Sequence, residues 1–254
     1  MTASKTQPIL KCTDINVGYD NIPVAENVSF EVYDKETFGL IGINGAGKTS
    51  LIKSIVGLRE PLGGEVSLFG KKTLDRETKR DIGYLPERFD PPWFLTGEEF
   101  IKFSLTLYKR PYHKDVLVEY CRDIRLDPQC LDRRMTTYSK GMRQKLGLLA
   151  TLMSGVRLII LDEPMSGLDP LARVSVKNLM KKAAQSGQTI FLSSHILSDL
   201  DELCDRIAVL HDKKIQFVGT PAVMKRKYKH DSLEKAFLHL IESQKENEKA
   251  DQAA

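Results

Sequence analysis

The stretch Gly42-Ile43-Asn44-Gly45-Ala46-Gly47-Lys48-Thr49 decides how the rest of the chain is interpreted. It fits the pattern G-x-x-x-x-G-K-[ST] of a loop that binds phosphate groups. Its glycines let backbone N–H groups turn toward phosphate oxygens, and a helix that starts at the loop adds the positive end of its dipole. We expect Lys48 to reach the β- and γ-phosphates and the Thr49 hydroxyl to bind Mg²⁺. The nucleotide-binding loop is therefore assigned to residues 42–49 together with Ser50.

Apolar residues on both sides of this loop give its structural context. Phe38-Gly39-Leu40-Ile41 precedes it and Leu51-Ile52 follows it, which predicts the order strand, loop, helix. With 254 residues, of which 41% are hydrophobic, the chain can form one large α/β domain, with or without a small inserted subdomain. The net charge of +4 is a mild excess that does not decide for or against nucleic acid, and it suits a polyanionic nucleotide equally well.

Cysteine usage and hydropathy limit where the protein can work. The four cysteines form no Cys-x-x-Cys pair and have no histidine partners at metal spacing, so we expect reduced structural thiols in a cytosolic protein. No apolar region follows the polar residues 1–7, so no secretory signal is predicted. The longest apolar run, residues 146–156, is too short for a membrane span. If the protein works at a membrane, another polypeptide must supply the spans.

The N-terminal part alternates in a way that predicts short strands. Ile9–Val17 and Val28–Val32 are strand candidates, and Glu65–Gly70 predicts an antiparallel strand after the loop and its helix. Tyr19 lies between the first two strands. It either stacks on a flat base, which is worth about 1–3 kcal/mol in other proteins, or is a surface turn residue. Its spacing to the loop does not separate these two interpretations.

Polar residues follow three predicted buried strands, at the strand ends where ligands gather in open α/β sheets. Glu87 follows the strand 81–85, and Asp162 and Glu163 follow the apolar Leu158–Leu161. Asp162 is placed to hold Mg²⁺, and Glu163 can take a proton from an attacking water. His195 ends the strand 188–194. A histidine there is either structural or a contact to the γ-phosphate.

Residues 88–155 have helical character and predict an inserted subdomain. Helical spacing of apolar residues covers 98–108, 115–124 and 139–153. Pro91-Pro92-Trp93-Phe94 at its start is either locally packed or a docking surface. We divide the chain into a nucleotide-binding core with a β subdomain (7–87 and 156–220), the helical subdomain (88–155), a C-terminal helix (221–241) and a disordered tail (242–254).

One segment of the helical subdomain carries a specific resemblance. Tyr138-Ser139-Lys140-Gly141-Met142-Arg143-Gln144-Lys145-Leu146 resembles the LSGGQ signature of ATP-binding cassette (ABC) ATPases, with lysine and methionine at its third and fifth positions. Its distance of 23 residues from Ser139 to Asp162 is also typical of the family. The resemblance implies that the signature binds the γ-phosphate held by a second subunit. The residues implied in this contact are Ser139, Lys140, Gly141, Met142 and, in the following D-loop Ser166-Gly167-Leu168-Asp169, Asp169.

The same resemblance assigns roles to the other positions. It implies that Tyr19 stacks on adenine, that Glu163 is the catalytic base, and that His195 orients the γ-phosphate and the attacking water. Glu87 stands where most members have a glutamine that binds Mg²⁺, so the resemblance gives the metal residues Thr49, Glu87 and Asp162. The glutamate adds a negative charge beside the phosphates, which departs from the family pattern.

Fold and function follow from the resemblance as expectations. The fold is α/β: a P-loop NTPase core with a mixed sheet, an N-terminal antiparallel β part and the inserted helices. The chain is similar to single-cassette subunits that serve exporters of drugs, lipids or polysaccharides, through 84–87, 138–142 and 233–238. This implies Mg²⁺-dependent ATP hydrolysis, a homodimer or heterodimer of cassettes, and a separate transmembrane permease. The expected location is the cytoplasmic face of the cell membrane, and no nucleic-acid partner is expected.

Two other functions remain open at this stage. ABC ATPases also act on the ribosome or on DNA, but such chains usually carry two cassettes or a long coiled coil, and this chain has one P-loop and no heptads. A binding module that regulates a partner without useful turnover is the other alternative. The presence of Lys48, Asp162, Glu163 and His195 argues against that alternative.

Overall fold

The structure is a computed structural model that describes residues 7–20, 22–72 and 76–252. Its strands fall into two sheets, which confirms the predicted α/β class with a mixed sheet and an N-terminal antiparallel part. The strands are β1 (Leu10–Tyr19), β2 (Ile22–Val32), β3 (Thr37–Ile41), β4 (Gly63–Leu68), β5 (Ile82–Leu85), β6 (Leu158–Asp162), β7 (Thr189–Ser194), β8 (Arg206–His211) and β9 (Lys214–Gly219).

The larger sheet has the order β5-β6-β7-β3-β8-β9. The neighbouring strands β5, β6, β7, β3 and β8 all pair in parallel, and β9 pairs antiparallel with β8. Every residue of β3, β6 and β7 is buried, as expected for parallel strands that are covered on both faces. Because parallel strands end at the same edge, the loops that follow β3, β5, β6 and β7 meet at that edge. The smaller antiparallel sheet has the order β2-β1-β4.

Helices cover both faces of the larger sheet and form the insertion between β5 and β6. They are α1 (Lys48–Ile55), α2 (Arg76–Arg80), α3 (Gly97–Leu107), α4 (Lys114–Asp123), α5 (Lys140–Met153), α6 (Pro170–Gln185), α7 (Leu197–Leu203), α8 (Pro221–Lys227) and α9 (Leu233–Gln252). Helix α3 begins with a capping box, in which the Thr96 side chain accepts from the Glu99 N–H and the Glu99 side chain accepts from the Thr96 N–H.

The apolar core forms two clusters, one on each side of the larger sheet. One joins the sheet to the small antiparallel sheet and to α1, and its centre is a stack of the rings of Phe30, Phe38 and Phe191 with centroids 5.4–5.9 Å apart. The other joins the sheet to the inserted helices and to α6. Both clusters include residues of β3, β5, β6 and β7, so the loops that follow these strands start from a packed base.

Several details differ from the sequence predictions. The prediction of a disordered tail from residue 242 is wrong up to Gln252, because α9 continues to that residue. Residues 253–254 lie outside the described part of the chain. The single C-terminal helix predicted for 221–241 is two helices, α8 and α9, and the short helix α7 was not predicted. The four cysteines are buried and unpaired, as expected. Within the described ranges, none of the helices combines the length and apolar character that a bilayer crossing requires.

Candidate functional site

A cavity of about 610 Å³ opens at the loop edge of the larger sheet, and most of the predicted site residues line it. The loop after β3, the ends of β5, β6 and β7, and the end of β1 all contribute side chains. A triphosphate-sized ligand fits a cavity of this volume. Its walls are formed by Tyr19, Val24, Asn44, Gly45, Ala46, Gly47, Lys48, Thr49, Ser50, Glu87, Glu163, Ser166 and His195.

The glycine-rich loop has the backbone that its sequence predicts. Gly45 and Gly47 have positive φ angles of 84° and 97°, which side-chain-bearing residues rarely adopt. A Cβ atom on Gly47 would also lie 2.9 Å from the Val24 carbonyl oxygen, so the close approach of β2 requires glycine there. Helix α1 starts at Lys48. Its N-terminal N–H groups therefore face the cavity, as an anion site at a helix N-terminus requires.

Lys48 is buried and is held by protein groups. Its ammonium donates to the Gly42 carbonyl oxygen at 2.7 Å and to the Ile43 carbonyl oxygen at 3.3 Å. It also pairs with Glu163, with 3.3 Å between Nζ and Oε1. Only 7% of the Lys48 side chain and 9% of the Glu163 side chain are exposed. A phosphate entering the cavity meets a positive charge that is already in place.

Glu163 forms the centre of the catalytic corner, which we define as Lys48, Asp162, Glu163 and His195. Its second carboxylate oxygen lies 2.8 Å from His195 Nδ1. Its backbone has φ = 50°, a left-handed conformation that costs a non-glycine residue about 1–3 kcal/mol. The Glu163 N–H donates to the Ser193 hydroxyl at 3.0 Å, which helps to hold this strained backbone. The sequence brings the carboxylate to the strand end, and the strained turn directs it into the cavity.

Within this corner, Asp162 is fully buried. The Ser193 hydroxyl donates to its Oδ1 at 2.6 Å, while its Oδ2 has no hydrogen-bond partner. Burial raises the pKa of Asp162, and the charges of Glu87 and Glu163 add to the rise, while the nearby hydroxyls of Ser193 and Thr49 oppose it. A buried carboxylate oxygen without a partner is suited to a cation. In the described part of the chain, no three side chains of the types His, Cys, Asp and Glu converge as a metal site.

Tyr19 lines the cavity and also faces solvent, since 46% of its surface is exposed. Its hydroxyl lies 3.1 Å from the Ser50 hydroxyl at the start of α1. This hydrogen bond lowers the pKa of Tyr19, and the positive charge of Arg59 adds to the effect. The ring therefore stands at the rim of the cavity that the phosphate loop forms, where a base could stack on it.

The signature corner, which we define as Ser139–Met142 and Asp169, lies outside this cavity. The Ser139 hydroxyl accepts from the Met142 N–H at 3.2 Å and caps α5, and Asp169 caps α6 by accepting from the Ala172 N–H at 2.9 Å. A Cβ atom on Gly141 would lie 3.6 Å from Leu168 Cδ2, so the signature packs against the D-loop. Ser139, Lys140 and Asp169 are exposed. The γ-phosphate contacts predicted for Lys48 and His195 therefore lie in the cavity, whereas those predicted for the signature corner lie on a different surface of the chain.

Two residues, one bonded to the catalytic corner and one in the cavity wall, were not singled out from the sequence. Ser193 joins Asp162 to the Glu163 backbone, and it is the register partner of Asp162 between β6 and β7. The polar end of the predicted strand 188–194 was the only signal for it. Val24 lines the wall next to Gly47, and no sequence signal marked this residue.

Known proteins share this sequence pattern and this fold. The profile of the ABC transporter family matches residues 25–166. An uncharacterised ABC transporter ATP-binding protein of Nostoc sp. is 36% identical over 230 residues, which cover 87% of this chain and 69% of the relative. The ABC-type transporter ATP-binding protein EcsA of Bacillus subtilis is 32% identical over 244 residues, which cover 91% of this chain and 96% of the relative.

Solved structures agree with these matches. The structure of an ATP-binding subunit of an ABC transporter is similar with a TM-score of 0.84 and 33% identity, covering 92% of this chain and 99% of that chain. A dimeric ATP-binding cassette in a post-hydrolysis state with ADP and Pi gives a TM-score of 0.76 at 22% identity, covering 83% and 98% of the two chains. The second likeness is one of fold.

Proposed function

The chain belongs to the ABC transporter family and is an ATP-binding, ATP-hydrolysing subunit, and on this premise we propose that it powers export through a separate membrane-spanning permease. The observation that carries the proposed chemistry is the catalytic corner. Lys48, Glu163 and His195 are joined by contacts of 3.3 and 2.8 Å in the cavity that the phosphate loop forms.

We assign hydrolysis to Glu163 and His195. Glu163 takes a proton from the attacking water, and His195 Nδ1 holds the carboxylate in place while the ring contacts the γ-phosphate. Lys48 exchanges its carbonyl contacts and its ion pair with Glu163 for the β- and γ-phosphates. The exchange frees the Glu163 carboxylate, so the base becomes available when nucleotide is bound. Preorganised charge and positioning of the water supply most of the rate.

Mg²⁺ fits the residues around Asp162. The partnerless Oδ2 of Asp162 is buried, and the Thr49 hydroxyl and the Glu87 carboxylate face the same space. These three residues would hold the ion, and the phosphates of ATP would complete its oxygen ligands. When bound, the ion neutralises charge on the phosphates. It would also stabilise the ionised form of Asp162, which burial disfavours.

The position of the signature corner is our reason to propose a second subunit. Each chain carries one phosphate loop and one signature, and the signature does not line the cavity of its own chain. Helix α5 begins at Lys140 behind an exposed cap, so the positive end of its dipole can meet an anion on another molecule. The dimeric state of the cassette bound to ADP and Pi supports this arrangement. We propose two ATP molecules between two such chains, which are identical or closely related.

The permease contact is proposed at residues 87–95. Trp93 is 66% exposed and Phe94 is 57% exposed, and their rings pack edge to face at 5.7 Å. Two adjacent aromatic rings at the surface can fill a pocket on a partner, and such anchors dominate many interfaces. The segment follows Glu87, which lines the cavity, so a partner bound there is close to the nucleotide site. On this proposal the subunit works at the cytoplasmic face of the membrane.

The direct test is a pull-down from detergent-solubilised native membranes with tagged Glu163→Gln protein, ATP and Mg²⁺. Loss of the base stalls the ATP-bound state, so we expect a polytopic membrane protein to be retained. The matched control is Lys48→Ala, which removes the phosphate contact and is expected to retain less of the same protein. Retention of ribosomes or DNA instead would favour a nucleic-acid role, and retention of nothing but this chain would contradict the permease.

Trp93→Ala tests where the permease binds. With the permease present, we expect the stimulated ATPase activity to fall while the activity of the isolated subunit is unchanged. Val174→Ala is a suitable control, because Val174 is also an exposed apolar residue (52%) but lies on α6. Unchanged stimulation in the Trp93 variant would place the permease elsewhere.

A further inference from the structure

Arg59 stacks on the ring of Tyr19. Its guanidinium carbon lies 3.8 Å from the ring centroid, and its NH1 donates to the Gly18 carbonyl oxygen at 2.7 Å. The hydrogen bond fixes the guanidinium relative to the strand that carries Tyr19. Arg59 is therefore held both by the ring and by the neighbouring backbone. Arg59 has no place in the signature resemblance and no role in the proposed hydrolysis.

Both tethers of Tyr19 come from the phosphate-binding helix or from the turn that ends it. The Tyr19 hydroxyl is 3.1 Å from Ser50 in the first turn of α1. Arg59 lies just beyond the end of α1, where its N–H donates to the Lys53 carbonyl oxygen at 3.2 Å. The ring is therefore held from the two ends of the helix whose N-terminus faces the phosphates. A ring that is fixed in this way loses less freedom when a base stacks on it.

The two faces of the ring are not equivalent. Tyr19 lines the cavity, whereas Arg59 does not, so the guanidinium covers the face that is turned away from the cavity. The cavity-facing side stays open for a flat base. A planar guanidinium is suited to this place because it stacks on a ring while its fork donates to a carbonyl.

We propose that Arg59 is a positioning residue for the nucleotide base: it holds Tyr19 flat against the rim of the cavity, in register with the phosphate loop. The inference rests on the proposed ATP site. It adds that base recognition in this chain depends on a side chain that does not touch the nucleotide.

The test compares two ligands that share the phosphates but not the base. Binding of ATP and of inorganic tripolyphosphate is measured by calorimetry in the Glu163→Gln protein, which prevents hydrolysis. Arg59→Ala should weaken ATP binding roughly three- to tenfold, as expected when one immobilised side chain is released, and should leave tripolyphosphate binding unchanged. Arg59→Lys keeps the charge but loses the planar stack, so it should restore little of the ATP affinity.

Two controls separate positioning from charge and from folding. Lys53→Ala removes a positive charge on α1 without removing a stacked group. It should therefore weaken the binding of ATP and of tripolyphosphate by the same factor. In a Tyr19→Ala background, Arg59→Ala should have no further effect on ATP binding, because the ring through which it acts is gone. A structural role of Arg59 would persist in that background.

Four outcomes would overturn the role of Arg59, and a fifth would reject the ATP site itself. Equal loss of both ligands in Arg59→Ala, an undiminished effect in the Tyr19→Ala background, or an ATP-selective loss in Lys53→Ala would each overturn the inference. Unchanged ATP binding in Arg59→Ala would overturn it as well, while tight tripolyphosphate binding would leave the proposed ATP site intact. Failure of the parent protein to bind either ligand would instead reject the ATP site itself.

Discussion

The catalytic corner and the signature corner differ in how complete they are within one chain. In the catalytic corner, the side chains of Lys48 and Glu163 are 7% and 9% exposed, and each is held by protein partners. In the signature corner, Ser139, Lys140 and Asp169 face solvent, and the hydrogen bonds of Ser139 and Asp169 cap their own helices. The difference teaches that the first corner is assembled by folding, whereas the second is left open to solvent, where our proposal puts the nucleotide of another chain. The two corners should therefore respond differently to substitution.

Glu163→Gln should have the largest effect on turnover. The amide cannot take a proton from water, so we expect the ATPase rate to fall about a hundredfold or more, with ATP binding retained. Steady-state phosphate release and ATP titration measure the two effects. Glu119→Gln, the same change at an exposed helix position, should match the parent. If Glu163→Gln turned over ATP near the parent rate, Glu163 would not be the catalytic base.

Gly141→Asp should lower turnover without affecting the catalytic corner. A carboxylate at the start of α5 repels the γ-phosphate of the second subunit, so we expect turnover to fall at least about tenfold, while ATP affinity of the single chain is unchanged. Gly141→Ala is the control for folding, because a Cβ atom there makes only an ordinary 3.6 Å contact. Equal loss of ATP affinity in the isolated chain would place the signature at its own cavity and break the comparison.

Asp162→Asn should stabilise the nucleotide-free protein while it abolishes Mg²⁺-dependent activity. Burial raises the pKa of Asp162, which means that the folded protein disfavours its charge. A neutral amide of the same size removes this cost, so we expect a gain of about 1–3 kcal/mol in the free energy of unfolding at neutral pH. Thermal melts without nucleotide test this. A lower melting temperature would mean that Asp162 is satisfied by the protein and is not reserved for a cation.

Glu98→Gln should have the smallest effect, and only on the helical insertion that carries the signature. Lys102, Lys114 and Tyr112 bind Glu98 and lower its pKa to about 2. Because this pKa lies below its value in the unfolded chain, the stabilisation is present at neutral pH and is lost as the pH falls from about 4.5 toward 2. We expect the variant to be less stable by at most about 1 kcal/mol at pH 7.

The difference between the parent and Glu98→Gln should shrink as the pH is lowered from 7 to 3. Urea unfolding at both pH values measures it, and ATP affinity should not change at pH 7. A difference that grows toward low pH would contradict the lowered pKa. A change in ATP affinity would show that the insertion and the catalytic corner are coupled within one chain.

The fold and the cavity were largely predictable because the motifs are local. The glycine-rich loop needs positive φ at Gly45 and Gly47, and this requirement is visible in the sequence. The acids at the ends of β5 and β6 were placed correctly at one edge, since parallel strands end together. Ser193 was not identified, because its role depends on the register between β6 and β7 and on the strained turn at Glu163. Domain boundaries and the roles in the second subunit stay predictions.

The C-terminal segment shows where composition was misleading. Residues 242–254 are polar, which favoured disorder, yet α9 continues to Gln252. The segment is rich in Glu, Lys, Gln and Ala, which are strong helix formers, and it extends a helix whose first turns are packed. A helix that is already nucleated by packing can propagate through polar residues. Propensity therefore outweighed the lack of apolar residues.

The central claim is that two chains share each ATP, and the mass of the Glu163→Gln protein in solution tests it most directly. Light scattering coupled to size exclusion should give a monomer of 28.7 kDa without nucleotide and twice that mass with ATP and Mg²⁺. Gly141→Asp in the same background should bind ATP and remain a monomer. A monomer that holds ATP with the signature intact, or a dimer that forms equally with and without ATP, would contradict the account.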